Sequence, residues 1–498
     1  MLDNLAKEES SSESRRAGTR TPVRIRISLR DLAIHQTGDI TMARGRAFED
    51  SALLVMLLTV LGAADRLSAA AAPYRDDPPI AEMLGRLESR QSLVLPSVKV
   101  DAGDLKMHGM ERYGPGQRDY CNKMAYAADR QTALYAGGNH QVPHRMNDVW
   151  EYHLGSNTWH LLYAPDGGNV GKHKAAYFLT SRTLVRNPDK PLDDKEKEQI
   201  EAYRNWWNEH VALRDGHLAT TRGGPIMPSH TWDAFCYDDR AGKLFWGMGA
   251  SPAAQLSTHA YFSGKPPAEL QRLIDPDYTP MWQFDPAKRT WIHYRTSKPR
   301  AQLRGMGATM AYLPDLGKSI WYVAAQNVSP HAYEMWLFDA VADRWAELKP
   351  NGGKSIATLA GKEEVAPRAE QQAAYSARHK RLVAVRGHDT FVYDVPANCW
   401  SKVATDERIY GHDAHSVFAY DPRADVFLLA FAPNGRGKKL RLAAFSPATN
   451  HWEMIEPDGP EIPTIQYGGY MGYFDPRYMV LVIQGRYSDR IWVYRHRS

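Results

Sequence analysis

Cysteine is scarce in this sequence: three occur among 498 residues, and Cys121, Cys236 and Cys399 lie far apart. A set that is small, odd in number and widely spaced predicts neither a disulfide framework nor a zinc site. We expect three small buried thiols, with a single disulfide as the alternative. Several catalytic motifs are also missing, because the chain contains no P-loop, no HExxH and no G-x-S-x-G.

Neither sign of charge dominates the chain, since the net charge is +5 with acidic and basic residues interspersed. The sequence has no long basic run and no aromatic stacking motif of an RNA-binding domain. A nucleic-acid partner is therefore not expected.

Long apolar stretches are nearly absent, and the one that occurs lies at residues 51–64 (SALLVMLLTVLGAA). It is short for a membrane span but has the length of a signal-peptide core, and Arg44, Arg46 and a small-residue stretch flank it. We predict a disordered or mis-assigned leader at 1–41, a signal peptide at 42–72 and a linker at 73–91. An amphipathic or disordered leader is the alternative. The prediction implies a secreted or periplasmic protein with no membrane span after cleavage.

Aromatic residues, in contrast, are plentiful and follow a repeat. Five times an aromatic residue in a short strand is followed seven residues later by tryptophan. The five pairs are Tyr152 and Trp159, Phe284 and Trp291, Phe338 and Trp345, Tyr393 and Trp400, and Phe445 and Trp452. A polar turn lies between the two residues each time, so a constant offset predicts β-hairpins that share one register.

A second strand pair precedes each of these five hairpins. A sixth such pair precedes the strand that carries Tyr494, which is the third strand of the last unit. The first strand of each pair ends in an aromatic residue and a turn, as in AYAADR (125–130) and AYDPRAD (419–425). Four strands per unit in six units predict an all-β fold, a six-bladed β-propeller covering 92–498. A seven-bladed propeller is the alternative, because 78 residues separate Trp159 from Tyr237.

The order of strand, glycine pair, loop, aromatic strand, turn and tryptophan resembles the kelch motif of the galactose oxidase–kelch propellers. The first unit has an intact pair, Gly137 and Gly138, and the other units have degenerate versions. Galactose oxidase itself uses a Cys–Tyr pair at copper, which maps onto none of the three cysteines here. The plan is also similar to periplasmic six-bladed kelch proteins that epimerise sialic acid. In that resemblance Arg118 with Asp119, or Arg368 with Glu370, take comparable places at the mouth.

The ends and the spacing of the repeat predict three further features. The last unit lacks an outermost strand, and the alternating segment 92–100 (SLVLPSVKV) is expected to fill that place and close the ring. Insertions are expected at 169–227 and 250–280. An amphipathic helix is predicted over 193–213, between blades one and two, and a short helix at 266–273.

The predicted functional region is the face formed by two sets of loops, which we call the loop face. These loops connect second to third strands, and fourth strands to the next first strand. The candidate ligand-binding residues are Arg118, His140, His144, His230, Arg304, Arg368, Glu370, Arg386, His388, His412, His415, Arg436 and Arg486. Arginine can bind a carboxylate with two parallel hydrogen bonds, and neighbouring aromatic rings offer flat surfaces to sugars.

We predict a propeller that binds a carbohydrate or another acidic ligand at a mouth lined by histidine and arginine. Two alternatives stay open: an epimerase or lyase acting on a uronic or sialic acid, and a protein-interaction scaffold that uses residues 169–227. Catalysis would require His or Tyr beside Arg to remove a proton alpha to a carboxylate. His140 with His144, or His412 with His415, could contribute metal ligands, but no catalytic residue, metal or cofactor is assigned.

Overall fold

The computed structural model describes a large part of the chain after residue 71. The described residues are 72–107, 109–116, 118, 120–138, 146–166, 175–176, 179–214, 217–226, 231–247, 252–265, 281–294, 308–324, 333–350, 372–411, 416–433, 439–465 and 469–497. The chain divides into two units, Met1–Ser68 and Ala69–Ser498, and all described residues belong to the second. The predicted leader and all but the last residue of the predicted signal peptide lie outside the described residues.

Six sheets, which we call blades one to six, form the propeller within the second unit, and the consecutive strands of each blade are antiparallel. Two short strands, β1 (Ser92–Val94) and β2 (Lys99–Asp101), come before them. Blade one contains β3 (Ala125–Ala127), β4 (Thr132–Tyr135), β5 (Val149–His153) and β6 (Thr158–Tyr163). An insertion follows with β7 (Val211–Arg214) and β8 (His217–Thr220). Blade two contains β9 (Phe235–Asp238), β10 (Lys243–Gly247), β11 (Met281–Asp285) and β12 (Thr290–Tyr294).

Blades three to five follow the same plan with four consecutive strands each, and blade six has three consecutive strands. Blade three contains β13 (Thr309–Leu313), β14 (Lys318–Ala324), β15 (Tyr333–Asp339) and β16 (Arg344–Leu348). Blade four contains β17 (Gln372–Ser376), β18 (Arg381–Arg386), β19 (Asp389–Asp394) and β20 (Cys399–Thr405). Blade five contains β21 (Ser416–Asp421), β22 (Val426–Phe431), β23 (Arg441–Ser446) and β24 (His451–Ile455). Blade six contains β25 (Tyr470–Asp475), β26 (Val480–Gly485) and β27 (Ile491–Tyr494).

The first strands of successive blades contact one another, and β25 contacts β3, so the six blades close into a ring. The six-bladed propeller is therefore confirmed, and the seven-bladed alternative is not. Apolar side chains fill the spaces between the blades. One cluster, which contains Trp150, joins blade one to blade six, and a second cluster, which contains Ala125, joins blade one to blade two. This arrangement places the first strands around a central channel.

The aromatic–tryptophan hairpins have the predicted common register. In each of the five hairpins the aromatic residue is paired directly with its tryptophan across the two outer strands. The ring centroids of the pairs lie 4.3–5.3 Å apart, from Phe338–Trp345 at the short end to Tyr393–Trp400 at the long end. The repeat in the sequence thus corresponds to one aromatic contact that recurs in five blades.

The N-terminal segment closes the ring as predicted and adds a contact that was not predicted. Strand β1 pairs antiparallel with β27, with Ser92 opposite Tyr494, and supplies the missing outermost strand of blade six. Strand β2 then pairs in parallel with β6, with Val100 opposite Trp159. Pro96 lies between the two strands, and its carbonyl accepts a hydrogen bond from Asn157 at 2.8 Å. One segment therefore joins the outer edges of blades six and one.

Residues 73–91, expected to be a linker, are structured and pack on blade one. They contain helix α1 (Pro78–Gly85). The Tyr74 hydroxyl donates to the Glu151 carboxylate at 2.8 Å, and the Tyr74 ring stacks on His160 at 3.8 Å. A second helix, α2 (Met110–Tyr113), follows β2.

The insertion between blades one and two contains the predicted helix, α3 (Asp194–His210). Asp193 caps it, and the Asp193 and Glu196 side chains each accept a hydrogen bond from the other residue's backbone. Its buried residues pack in a separate apolar cluster with helix α4 (Pro252–Ser263) of the second insertion. The short helix predicted at 266–273 lies outside the described residues. No helix in the described part of the chain is long and apolar enough to span a membrane.

All three cysteines are free thiols, so the alternative of a disulfide is excluded. Cys121 and Cys236 are buried and Cys399 is half-buried. Burial raises the pKa of both buried thiols to about 12, which keeps them protonated at neutral pH.

Candidate functional site

The loop face is described only in part. Nine of the thirteen candidate residues lie outside the described residues: His140, His144, His230, Arg304, Arg368, Glu370, His412, His415 and Arg436. Both histidine pairs considered as metal ligands belong to this group. Among the residues that the structure describes, no group of three His, Cys, Asp or Glu side chains could hold a metal ion.

Arg118 is fully buried, although the sequence placed it at the mouth. Its Nη2 pairs with the Asp148 carboxylate, and its Nη1 donates to the Gly137 carbonyl at 2.8 Å. The Trp150 indole donates to the same Asp148 oxygen at 2.7 Å. A buried charge requires such partners, so Arg118 anchors the start of blade one and does not present its guanidinium to a ligand.

Arg386 is the last residue of β18, and His388 lies in the short loop that follows. The loop is fixed by Gly387 and Gly411, whose backbone groups exchange two hydrogen bonds of 2.7 Å. The His388 Nδ1 donates to the Ile409 carbonyl at 2.5 Å, which assigns the proton of the neutral ring to that nitrogen. The His388 side chain is 35% exposed, with its Nε2 3.6 Å from the Glu407 carboxylate. The Glu407 side chain is exposed, so Nε2 lies near a carboxylate at the surface.

Arg486 belongs to a cluster with two tyrosines, which we call the aromatic–arginine cluster: Tyr113, Arg486 and Tyr487. The guanidinium lies over the Tyr487 ring, 4.8 Å from its centroid, and its Nη2 donates to the Tyr487 hydroxyl at 2.9 Å. Tyr113 meets Tyr487 edge to face at 5.5 Å. Burial raises the pKa of Tyr113 to about 12, so this hydroxyl stays protonated.

Tyr487 has a left-handed backbone conformation, with φ of 57°. This conformation is uncommon for an aromatic residue and is found where surrounding structure enforces it. Gly116 allows the arrangement, because a Cβ there would lie 3.3 Å from the Tyr113 ring. The sequence predicted Arg486 as a binding residue but did not reveal Tyr113, which lies outside the repeat.

Two further aromatic residues on this side also have left-handed backbones. Tyr120 and Trp232, with φ of 56° and 52°, come just before the first strands of blades one and two. Their ring centroids lie 4.1 Å apart. Neither was predicted, since neither belongs to the aromatic–tryptophan hairpins.

Below these rings, polar side chains from five blades meet across the central channel. We call this layer the polar plug: Asn122, Lys123, Asp233, Thr309, Gln372 and Ser416. Asn122 and Gln372 both donate to the Ser416 carbonyl, at 2.9 and 2.6 Å. The Lys123 ammonium donates to the Met310 carbonyl at 2.5 Å and lies 3.3 Å from the Asp233 carboxylate.

Burial raises the pKa of Asp233 to about 6, against the lowering effect of Lys123. Because one blade contributes a different residue type from the next, the polar plug has no repeating sequence signal. This explains why the repeat did not reveal it.

A cavity of about 340 Å³ lies in the channel between the polar plug and the turns that join first to second strands. We call this side the turn face. Each first strand contributes an aromatic residue one position before its last paired residue, and the six are Tyr126, Tyr237, Tyr312, Tyr375, Tyr420 and Phe474. The residue before it is small in five blades: Ala125, Cys236, Ala311, Ala374 and Ala419. The exposed residues Pro314, Pro422 and Pro476 lie at its open end.

The cavity lies on the face opposite to the one that the sequence predicted as functional. The first-strand aromatics were visible in the sequence as markers of the repeat. Only the closure of the ring brings these aromatic residues together with the alanines around one cavity.

No family model matches the chain, and no curated protein matches it in sequence. Among solved structures, the chain is similar to the GH74 xyloglucanase from Xanthomonas campestris at 14% identity and a TM-score of 0.35, covering 74% of this chain and 42% of that one. It is also similar to an auxiliary nutrient binding protein from Bacteroides ovatus at 8% identity and a TM-score of 0.40, covering 81% of this chain and 76% of that one. The chain thus spans less than half the length of the xyloglucanase. Likeness at this level concerns the fold alone, and the kelch resemblance stays a prediction.

Proposed function

We propose that this propeller binds a carbohydrate that carries an acidic group, on its loop face. The observation that supports this most is the aromatic–arginine cluster. Tyr487 is 46% exposed, and it is the only exposed Phe, Tyr or Trp among the residues whose burial the structure describes. A tyrosine ring beside an arginine at the surface offers one ligand both a flat apolar face and a charged hydrogen-bond donor.

The chemistry of the cluster suits a sugar acid. The flat Tyr487 ring provides a face for the apolar side of a sugar ring. Arg486 is held by its contact with that ring, so its planar guanidinium loses less freedom on binding a carboxylate. Tyr113 supports Tyr487 from the side, which keeps the ring in place before the ligand arrives.

Arg386 and His388 of blade four would provide a second contact on the same face. The Nδ1 of His388 is occupied by the Ile409 carbonyl, which leaves Nε2 as the nitrogen directed toward Glu407 and the surface. Within this proposal, Arg304, Arg368, Glu370, Arg436 and the loop histidines would complete the mouth. Their positions are expectations from the repeat.

The described part of the insertion is a weaker candidate for a partner surface. Helix α3 buries Ile200, Tyr203, Trp206 and Trp207 in the apolar cluster of the two insertions. Its outward positions carry charged residues such as Lys195 and Glu198. We therefore favour ligand binding over the scaffold alternative, and we keep turnover of a sugar acid as an outcome of the test below.

The test is a thermal-shift and calorimetric screen of uronic and sialic acids, followed by NMR of any compound that binds. Arg486→Gln and Tyr487→Ala should each weaken binding by about tenfold, the effect of losing one charge-assisted contact or ring contact. Val341→Ala is the control, because Val341 is 57% exposed and lies on blade three, outside the cluster.

A bound compound that NMR shows unchanged after hours supports binding alone, and conversion would support the epimerase or lyase alternative. The proposal fails if no anionic sugar shifts the melting temperature. It also fails if both cluster variants bind as tightly as the Val341 control.

A further inference from the structure

We propose that the turn-side cavity binds a small apolar monocarboxylate, such as an aromatic acid, with its carboxylate at the Lys123 ammonium. This site is separate from the loop-face site and takes a different class of ligand.

The cavity has the dimensions of a site for a small molecule. Its volume of about 340 Å³ falls within the range of small-ligand pockets, at the lower end. The polar plug forms its inner end and the turn face its opening. A compact ligand with one ring therefore fits better than an oligosaccharide.

The walls are apolar, with a few hydroxyl groups. Alanines from four blades and Gly472 leave the space in which a ring can lie, and the first-strand aromatics surround it. Gly472 could not be larger, because a Cβ there would lie 2.3 Å from the Val482 carbonyl oxygen. Such walls favour an apolar body, since desolvation of the ligand and of the cavity both contribute to binding.

The inner end of the cavity is positive. Of the ion pair in the polar plug, Lys123 lines the cavity and Asp233 does not. The Lys123 side chain is 21% exposed and that of Asp233 is 5% exposed, so the ammonium is the more accessible partner. A ligand entering from the turn face therefore meets a cation at the end of an apolar space.

The Lys123 ammonium can donate a further hydrogen bond. Its contacts with the carboxylate and the carbonyl of Asp233 are 3.3 and 3.4 Å, longer than usual for a hydrogen bond to nitrogen. The Met310 carbonyl, at 2.5 Å, is its one close acceptor. A ligand carboxylate would make a shorter, charge-assisted bond with the ammonium.

The opening carries the opposite charge. Asp239 lines the cavity near its open end, where its carboxylate accepts a hydrogen bond from the backbone of Ala128 at 2.8 Å. A second carboxylate on the ligand would lie close to Asp239. The charges therefore favour monocarboxylates over dicarboxylates and orient the carboxylate inward.

The test is calorimetry on the intact protein with four probes of one size: benzoate, phenylacetate, benzyl alcohol and benzylamine. Benzoate or phenylacetate should bind, benzyl alcohol more weakly by about tenfold, and benzylamine not at all. Lys123→Met should weaken binding of the acid by about tenfold or more. Lys318→Met is the matched control, because Lys318 lies at the start of β14 and does not line the cavity.

Two further variants keep the test decisive if Lys123→Met does not fold, since that change leaves Asp233 without its ammonium. Asp233→Asn keeps the ammonium and removes the competing carboxylate, so it should bind the acid as tightly as the unchanged protein or more tightly. Ala374→Leu fills part of the cavity and should abolish binding.

The inference is overturned if neither acid binds at millimolar concentration, if benzylamine binds more tightly than benzoate, or if Ala374→Leu leaves binding of the acid unchanged. Arg486→Gln and Tyr487→Ala should not affect binding of benzoate. The two proposals can therefore fail independently.

Discussion

Blade one and blade three contain the same hairpin in very different surroundings. In both, an aromatic residue pairs directly with a tryptophan across the two outer strands. Trp159 of blade one is fully buried, and its indole donates to Gln484 of blade six at 2.9 Å. Trp345 of blade three is partly exposed, and its indole nitrogen has no hydrogen-bond partner among the described residues.

The N-terminal segment accounts for much of the difference. Strand β2 covers the outer edge of blade one, whereas no described strand pairs with the outer edge of β16 in blade three. Gly114 also packs so closely on Trp159 that a Cβ there would lie 2.5 Å from the indole ring. The comparison shows that the repeat sets the register of a hairpin, while its neighbours decide how much the hairpin stabilises the protein.

The largest expected effect comes from removing the segment that covers blades six and one. A chain that begins at Gly103 lacks β1 and β2, so blade six loses its outermost strand and blade one its covered edge. We expect the melting temperature to fall by about 10 °C or more, since several kcal/mol of packing and strand pairing are lost. A chain that begins at Pro73 is the control, and equal melting temperatures for the two chains would contradict the closure.

A second test compares the two tryptophans directly. Trp159→Ala should destabilise the protein by about 3–5 kcal/mol, because a fully buried indole is replaced by a cavity and a hydrogen bond to Gln484 is lost. Trp345→Ala should lower the free energy of unfolding by about half that amount or less, since part of that ring is already exposed. Denaturant unfolding of both variants measures the difference, and equal costs would show that edge coverage does not matter.

The smallest expected effect concerns His153 at the end of β5. Burial lowers the pKa of His153 to about 4, whereas histidine in an unfolded chain has a pKa near 6.5. Between these values the unfolded chain binds the proton and the folded protein does not. The contribution of neutral His153 to the stability of the folded protein is therefore fully present above pH 6.5 and is lost as the pH falls toward 4.

His153→Gln should remove this dependence, so the difference in stability between the two proteins should shrink by about 1–3 kcal/mol from pH 7 to pH 4.5. Melting curves across this range provide the measurement. His451→Gln, on an exposed position of β24, is the matched control. A difference that stays constant with pH would show that His153 is not a buried neutral histidine.

Sequence reasoning could find those features that recur or that are local. The seven-residue offset predicted the pairing of Tyr152 with Trp159, and the capped acidic start predicted α3. It could not find the parallel pairing of Val100 with Trp159, because Pro96 divides one alternating segment into two strands with different partners. The sequence also predicted Arg118 at the mouth. Its position in a loop was correct, but the sequence did not show that Asp148 pairs with it in the interior.

By itself, the amino-acid sequence determined the strand pattern and the hairpin register, because these depend on spacings of a few residues that recur from unit to unit. Ring closure decided between six and seven blades. Only the tertiary structure decided which side chains meet in the channel. Lys123 and Asp233 are 110 positions apart, and they come together because ring closure brings residues of different blades to the same axis. The cavity and the polar plug exist only through that closure.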